Sequence, residues 1–175
     1  LKLHQADIVE FVRYIGSGFK ELATNRSIKF SIESECPGMN IWFDDTKMQR
    51  ILNNIYSNAF KFTPDGGLIS TIVATEKKDE KIFVRIEISD TGCGISEKDL
   101  NVIFDRFYQS EPIPGVTGSG IGLHMVKEYV SLHNGKIEVH SKIGVGTTFL
   151  IYIPSDLKGD DSESKIPAMS PDVEE

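Results

Sequence analysis

Two runs rich in β-branched residues, 68–75 and 82–89, are separated only by the charged stretch 76–81. That spacing predicts a hairpin. A hairpin in mid-chain is not stable alone and needs further strands or helices over its apolar face. The flanking sequence supplies both. Upstream, Asp44 or Asp45 caps a helix running to about Lys61, and Thr63-Pro64-Asp65-Gly66-Gly67 closes it. Before it, Ile8, Phe11, Val12, Ile15, Phe19 and Leu22 recur at three- and four-residue intervals, which predicts one amphipathic helix over about 7–23. Short strands at 28–32 and 39–43 flank the Pro37-Gly38 turn. Downstream, Ser96 caps a short helix ending near Phe104, Gly120 opens another through about His133, and strands at 136–141 and 147–153 flank the turn 142–146. Residues 82–88 alternate apolar and polar in their second half, the mark of a sheet with one wet face. The order predicts an α+β fold, a two-layer sandwich with about three helices covering one face of a mixed, mostly antiparallel sheet of about five strands.

A chain of 175 residues, 39% hydrophobic and 26% charged, fits one domain with a full core. Its net charge of −7 is uneven: residues 155–175 carry seven acids and two lysines, leaving the other 154 at −2. The near-neutral body argues against a broad nucleic-acid surface. The acidic end is expected to be a disordered linker or tail, with the domain spanning 1–154. No stretch is apolar for long enough to predict a membrane span. Cys36 and Cys93 lie far apart without metal-ligand spacing, which suits a reduced, cytoplasmic setting. The first residue is Leu1, so a piece of a longer protein is expected.

Three segments carry chemistry. On the 44–61 helix, Ile51, Ile55, Ala59 and Phe62 form an apolar stripe, while Asn54, Asn58 and Lys61 form a polar one about a quarter-turn away. Amide oxygens suit a hard cation and the ammonium suits a phosphate; the plainer reading is a solvated flank. Asp90-Thr91-Gly92-Cys93-Gly94-Ile95 follows a strand, where a fixed carboxylate accepts from an amine and glycines let a ring approach the backbone. Gly118-Ser119-Gly120-Ile121-Gly122-Leu123 leads into a helix whose first N–H groups suit phosphate. It is neither a Walker motif nor a dinucleotide fingerprint. Between the last two lie the aromatic segment 103–108 and a loop, 109–120, expected to be mobile.

In this order, and with the closing Gly144-Val145-Gly146-Thr147, the segments resemble the ATP-binding catalytic domain of sensor histidine kinases, the Bergerat fold shared with type II topoisomerases and mismatch-repair ATPases. The resemblance covers about residues 5–154. It implies ATP and Mg²⁺ as cofactors. Asn58 would ligate Mg²⁺, with Asn54 beside it, and Lys61 would contact phosphate. Asp90 would take the adenine amine, with Gly92, Gly94, Phe62, Ile95, Leu123 and Thr147 about the ring. Gly118, Ser119, Gly120, Ile121 and Gly122 would form the lid and phosphate cradle. Two positions depart from the pattern. Gln109 stands where many members have an Arg reaching the γ-phosphate, so Arg106 is the substitute. Asn54 stands where the ATPase relatives carry a water-activating Glu, which fits a kinase that spares its ATP. A free-standing ATPase and a nucleotide-binding regulatory module remain the alternatives.

No histidine fits the phosphoacceptor pattern: His4, His124, His133 and His140 precede Gln, Met, Asn and Ser. His124 and His133 read as packing or surface residues. The resemblance therefore implies a phosphoacceptor histidine domain before Leu1, a homodimeric parent anchored in a bacterial inner membrane, and a response regulator receiver domain in cis or in trans.

Overall fold

The computed structural model describes residues 1–108 and 120–158. The expected lid (109–119, with Gly118 and Ser119) and the tail from 159 onward lie outside the described residues. A five-stranded sheet is ordered β2-β4-β5-β7-β6, from Lys29–Ser34, Leu68–Lys78, Lys81–Asp90, Gly146–Pro154 and Lys136–Lys142 respectively. Only the β2–β4 pair is parallel. A separate antiparallel pair joins β1 (His4–Asp7) to β3 (Asn40–Phe43). The helices are α1 (Ile8–Ser17), α2 (Lys20–Asn25), α3 (Asp45–Phe62), α4 (Glu97–Leu100) and α5 (Gly122–Leu132).

Alternation decides which face of the sheet is covered. Val84, Ile86 and Ile88 of β5 lie opposite Ile153, Ile151 and Phe149 of β7, and all six are buried. Against them pack Ile51, Leu52 and Ile55 of α3, Val126 and Val130 of α5, and Val12 and Ile15 of α1. The other face carries Arg85, Glu87 and Ser89 beside Tyr152, Leu150 and Thr148, all partly exposed. Fully burying each such aliphatic side chain is worth roughly 1.5–3 kcal/mol, so this single stacked layer dominates the stability.

α3 has well-defined ends. Asp44 Oδ1 accepts from Lys47 N–H at 3.0 Å, while Oδ2 accepts from Lys2 N–H at 2.8 Å and from Lys47 Nζ at 3.1 Å. Burial works against the Asp44 charge, but these donors prevail and hold the carboxyl at about 2. At the other end Pro64 biases Thr63 to extended backbone (φ −86°, ψ 128°), which stops the helix. Arg26 then takes up its carbonyls, donating to Phe60 O, to Thr63 O at 2.7 Å and to Asp65 at 2.8 Å.

The expected helix over 7–23 is instead two. Gly16, Ser17 and Gly18 are weak helix formers, and Gly16 presses on the Ile32 side chain, so α1 ends there and α2 starts after Phe19. β1 was not foreseen. The charged stretch 76–81 is mostly strand; the turn is only Asp79 and Glu80, with φ of 48° and 64°. Ser155, in the expected tail, donates to Ile82 O at 2.9 Å, and Leu157 packs partly against the core.

Candidate functional site

The end of β5, the C-terminal half of α3 and the start of α5 converge. Asp90 closes β5 and its Oδ1 accepts from Gly92 N–H at 2.8 Å. Burial pushes its carboxyl up, against the hydrogen bonds from the Gly92 and Thr147 backbones that hold it down. A half-buried carboxylate that, among the described residues, has no basic partner is a strong acceptor for an amine that reaches it. A methyl at Gly92 would stand 2.7 Å from Asp90 Oδ1 and 2.8 Å from Phe62 O, so the loop leans directly on the end of α3.

The rest of that loop is keyed into the β6–β7 turn. Ile95 N–H donates to Ser141 Oγ at 2.8 Å and Gly144 N–H to Cys93 O at 2.8 Å. Ser141 Oγ also donates to Gly146 O at 2.9 Å and lies 2.9 Å from Thr147 Oγ1. Gly94 has φ +75°, and a methyl there would collide with the Lys142 carbonyl. Left-handed backbone in contact with another strand's backbone leaves glycine as the fitting residue.

A second cluster forms where α5 begins. A methyl at Gly122 would sit 2.5 Å from Asn54 Oδ1, so the two helices touch at the partly exposed side chain of Asn54. Asn54 Nδ2 donates back to Arg50 O at 2.8 Å, which turns its oxygen toward α5. Ile121, at the N-cap of α5, supplies no side-chain cap, and no acid sits in the first turn. Among the described residues, the anion-favouring end of the helix therefore has neither a side-chain cap nor an acid in its first turn. Asn58 and Lys61 are half-buried further along the same flank of α3, with Lys61 Nζ 5.1 Å from the Phe62 ring centre. Gly120 O accepts from Phe107 N–H at 2.9 Å, and Ile95 and Leu123 are partly buried against the main core. Arg106 is exposed, its guanidinium 4.8 Å from the Phe107 ring centre; among the described residues no contact ties it to the Asn54 flank.

Three residues not foreseen from the sequence support this arrangement. Ser141 and Arg26 are polar residues at element ends, with no spacing to distinguish them. Thr63 follows Phe62, and its Oγ1 is the buried side-chain polar atom without a partner among the described residues. A groove of about 430 Å³ opens at the opposite end of β5, among Lys81, Phe83, Pro154 and Leu157, and includes none of the site residues.

Residues 43–157 match the family of histidine kinase-, DNA gyrase B- and HSP90-like ATPases, a span that contains all of these elements. The chain belongs to that family. Among curated relatives, histidine kinase P4 of Formosa agariphila is 35% identical over 159 residues, 88% of this chain and 11% of its own length. The hybrid signal transduction histidine kinase D of Dictyostelium discoideum is 38% identical over 162 residues, 88% of this chain and 10% of its own. The chain thus spans about a tenth of these relatives. Among solved structures, the catalytic domain of histidine kinase ThkA shares the fold with a TM-score of 0.77 at 23% identity, covering 89% of this chain and 99% of that one. Full-length ShkA in complex with AMPPNP superposes at 0.74 with 27% identity, covering 88% and 31%. Membership in this ATPase family implies ATP as the nucleotide.

Proposed function

We propose that this chain is the catalytic, ATP-binding domain of a sensor histidine kinase. It would hold Mg·ATP between α3 and α5 and deliver the γ-phosphoryl to a histidine on a separate domain. One observation carries the reading: the uncapped start of α5 abuts Asn54 at Gly122, so an anion-binding helix end faces a neutral, polar flank rather than a carboxylate.

The residues divide the work. Asp90 accepts the adenine amine, and Thr63 Oγ1 and Thr147 offer polar atoms near the same end of the pocket. Phe62 and Ile95 flank the ring. Gly122 and the backbone N–H groups of the first turn of α5 receive phosphates. Lys61 supplies positive charge and Asn58 a neutral oxygen for the ion. Among the described residues no group of three His, Cys, Asp or Glu is placed to hold a metal. That donor set suits an ion carried by the nucleotide and its waters, which Mg²⁺ favours. When bound, Mg²⁺ neutralises phosphate charge during transfer. Asn54 lacks a basic group to activate water, which favours transfer over hydrolysis.

The phosphoacceptor domain, a receiver domain and a homodimeric, membrane-anchored parent belong to the same proposal. Relatives that include a hybrid signal transduction histidine kinase and a sensor histidine kinase support the presence of further signalling domains. No helix among the described residues is long and apolar enough to cross a membrane. Calorimetry with ADP or ATP, with and without Mg²⁺, tests the reading: binding that Mg²⁺ strengthens is expected. No heat at about millimolar nucleotide, in a folded sample, would overturn it.

A further inference from the structure

α3 and α5 run antiparallel and meet at three levels. At the site end, Gly122 lies on Asn54. In the middle, Arg50 Nη1 donates to Tyr129 Oη at 3.1 Å, and Lys47 Nζ stands 5.8 Å from the Tyr129 ring centre. At the far end, Asp44 N–H donates to His133 Nε2 at 3.0 Å. His133 is fully buried. Because Nε2 accepts, the ring proton is on Nδ1, which donates to Tyr129 O at 2.7 Å. Both nitrogens are thus committed, one to each helix. From Asp44 to Asn54 is ten residues and from Gly122 to His133 eleven, both about 15–17 Å of helix rise. The bond at one end therefore fixes the register at the other.

We propose that His133 is a positioning residue for the nucleotide site. By joining the start of α3 to the end of α5, it sets the alignment at which Gly122 meets Asn54. The inference rests on the functional reading above and adds a residue about three helical turns from any phosphate. Its chemistry makes it conditional. A protonated imidazole presents N–H to the Asp44 N–H, two donors face to face, and the joint opens. Burial disfavours the imidazolium most and holds the ring below its ordinary value; the hydrogen bond to the Tyr129 carbonyl of α5 and the carboxylate of Asp44, the N-cap of α3, favour it, while Lys47 of α3 and the Leu1 amino group oppose it.

The test uses the 175-residue chain and Mg·ATP, by calorimetry at about pH 7.5 and at about pH 5, the lower value chosen because burial lowers the imidazole from its ordinary range. His133→Leu strands the buried Asp44 N–H and should weaken binding about tenfold at the higher pH. His133→Gln returns an acceptor near the Nε2 position and should recover most of that loss. Wild type should lose affinity at the lower pH beyond what His133→Gln loses, the titration of the nucleotide itself being common to both. A folded His133→Leu that binds as wild type does overturns the inference. So does a His133→Gln that shows the wild-type pH profile. If His133→Leu does not fold, the wild-type and His133→Gln profiles alone decide. Wild type that binds no nucleotide at either pH would instead remove the functional reading, and this inference with it.

Discussion

The loop 90–95 is bound to its surroundings at nearly every residue, through Asp90, Gly92, Cys93, Gly94 and Ile95. The start of α5 offers a contrast: among the described residues no side chain caps it, and Gly122 lies against only the tip of Asn54. The end of the pocket that would read a flat, neutral ring is built by the protein in advance. The end that would receive charge leaves backbone donors for the ligand to satisfy. Recognition by a rigid wall would thus lie at the C-terminal end of α3, beside Phe62, and completion by the ligand beside Asn54, about two turns earlier on the same helix.

The sharpest way to break this contrast is Gly94→Ala. A left-handed φ combined with a clash against the Lys142 carbonyl should cost about 3 kcal/mol or more. Melting should fall by roughly 6–12 °C; an unchanged transition would show that the loop is not locked. Asp90→Asn comes next. It should lose roughly tenfold to a hundredfold in ATP affinity, read by calorimetry. The unliganded variant should be no less stable than wild type. The folded carboxyl is raised above 3.8, so the folded state holds its proton more tightly than the unfolded one. Stability from this group is present below 3.8 and is lost as pH rises through the raised value. At neutral pH the charge is a burden that the amide removes, so a lower melting temperature for the variant would contradict that account.

Gly122→Ala probes the open side. It displaces the Asn54 oxygen and should weaken Mg·ATP about fivefold while leaving adenosine binding nearly unchanged. Equal losses for both ligands would erase the division between the two ends. The smallest effect is expected for Gly144→Ala. Its φ is also +75°, but nothing lies within 4 Å of a methyl there. Only the left-handed cost of about 1 kcal/mol should appear, a melting shift of about 2–4 °C with unaltered binding. The pair Gly94 and Gly144 therefore separates backbone conformation from close approach.

Local signals were legible in the sequence where one residue type had one physical use. Asp44 and Pro64 bracket α3 because a carboxylate caps and a proline ends a helix. Asp90 and the glycines after it stood out because no strand interior tolerates them. What stayed hidden depends on distant partners. The parallel pairing of β2 with β4 joins Lys29 to Leu68 and has no local pattern. β1 acquires its character from β3. Ser141 becomes a hub only once the β6–β7 hairpin meets the 90–95 loop. His133 was read as packing or surface, and it is fully buried; its two hydrogen bonds were beyond reach because one comes from Asp44.

The strand order also governs how the chain can be made. β7 lies between β5 and β6, although it is the last of the described strands to be synthesised. Once Asp90 has emerged, β5 can pair with β4 along one edge, but its other edge waits until Gly146–Pro154 follows. At about 5–20 residues per second the wait lasts seconds. For that time the nascent protein presents an unpaired edge beside Val84, Ile86 and Ile88, whose cover is still incomplete. Within a growing polypeptide, this sheet is most open to chaperone capture or aggregation just before β7 leaves the ribosome.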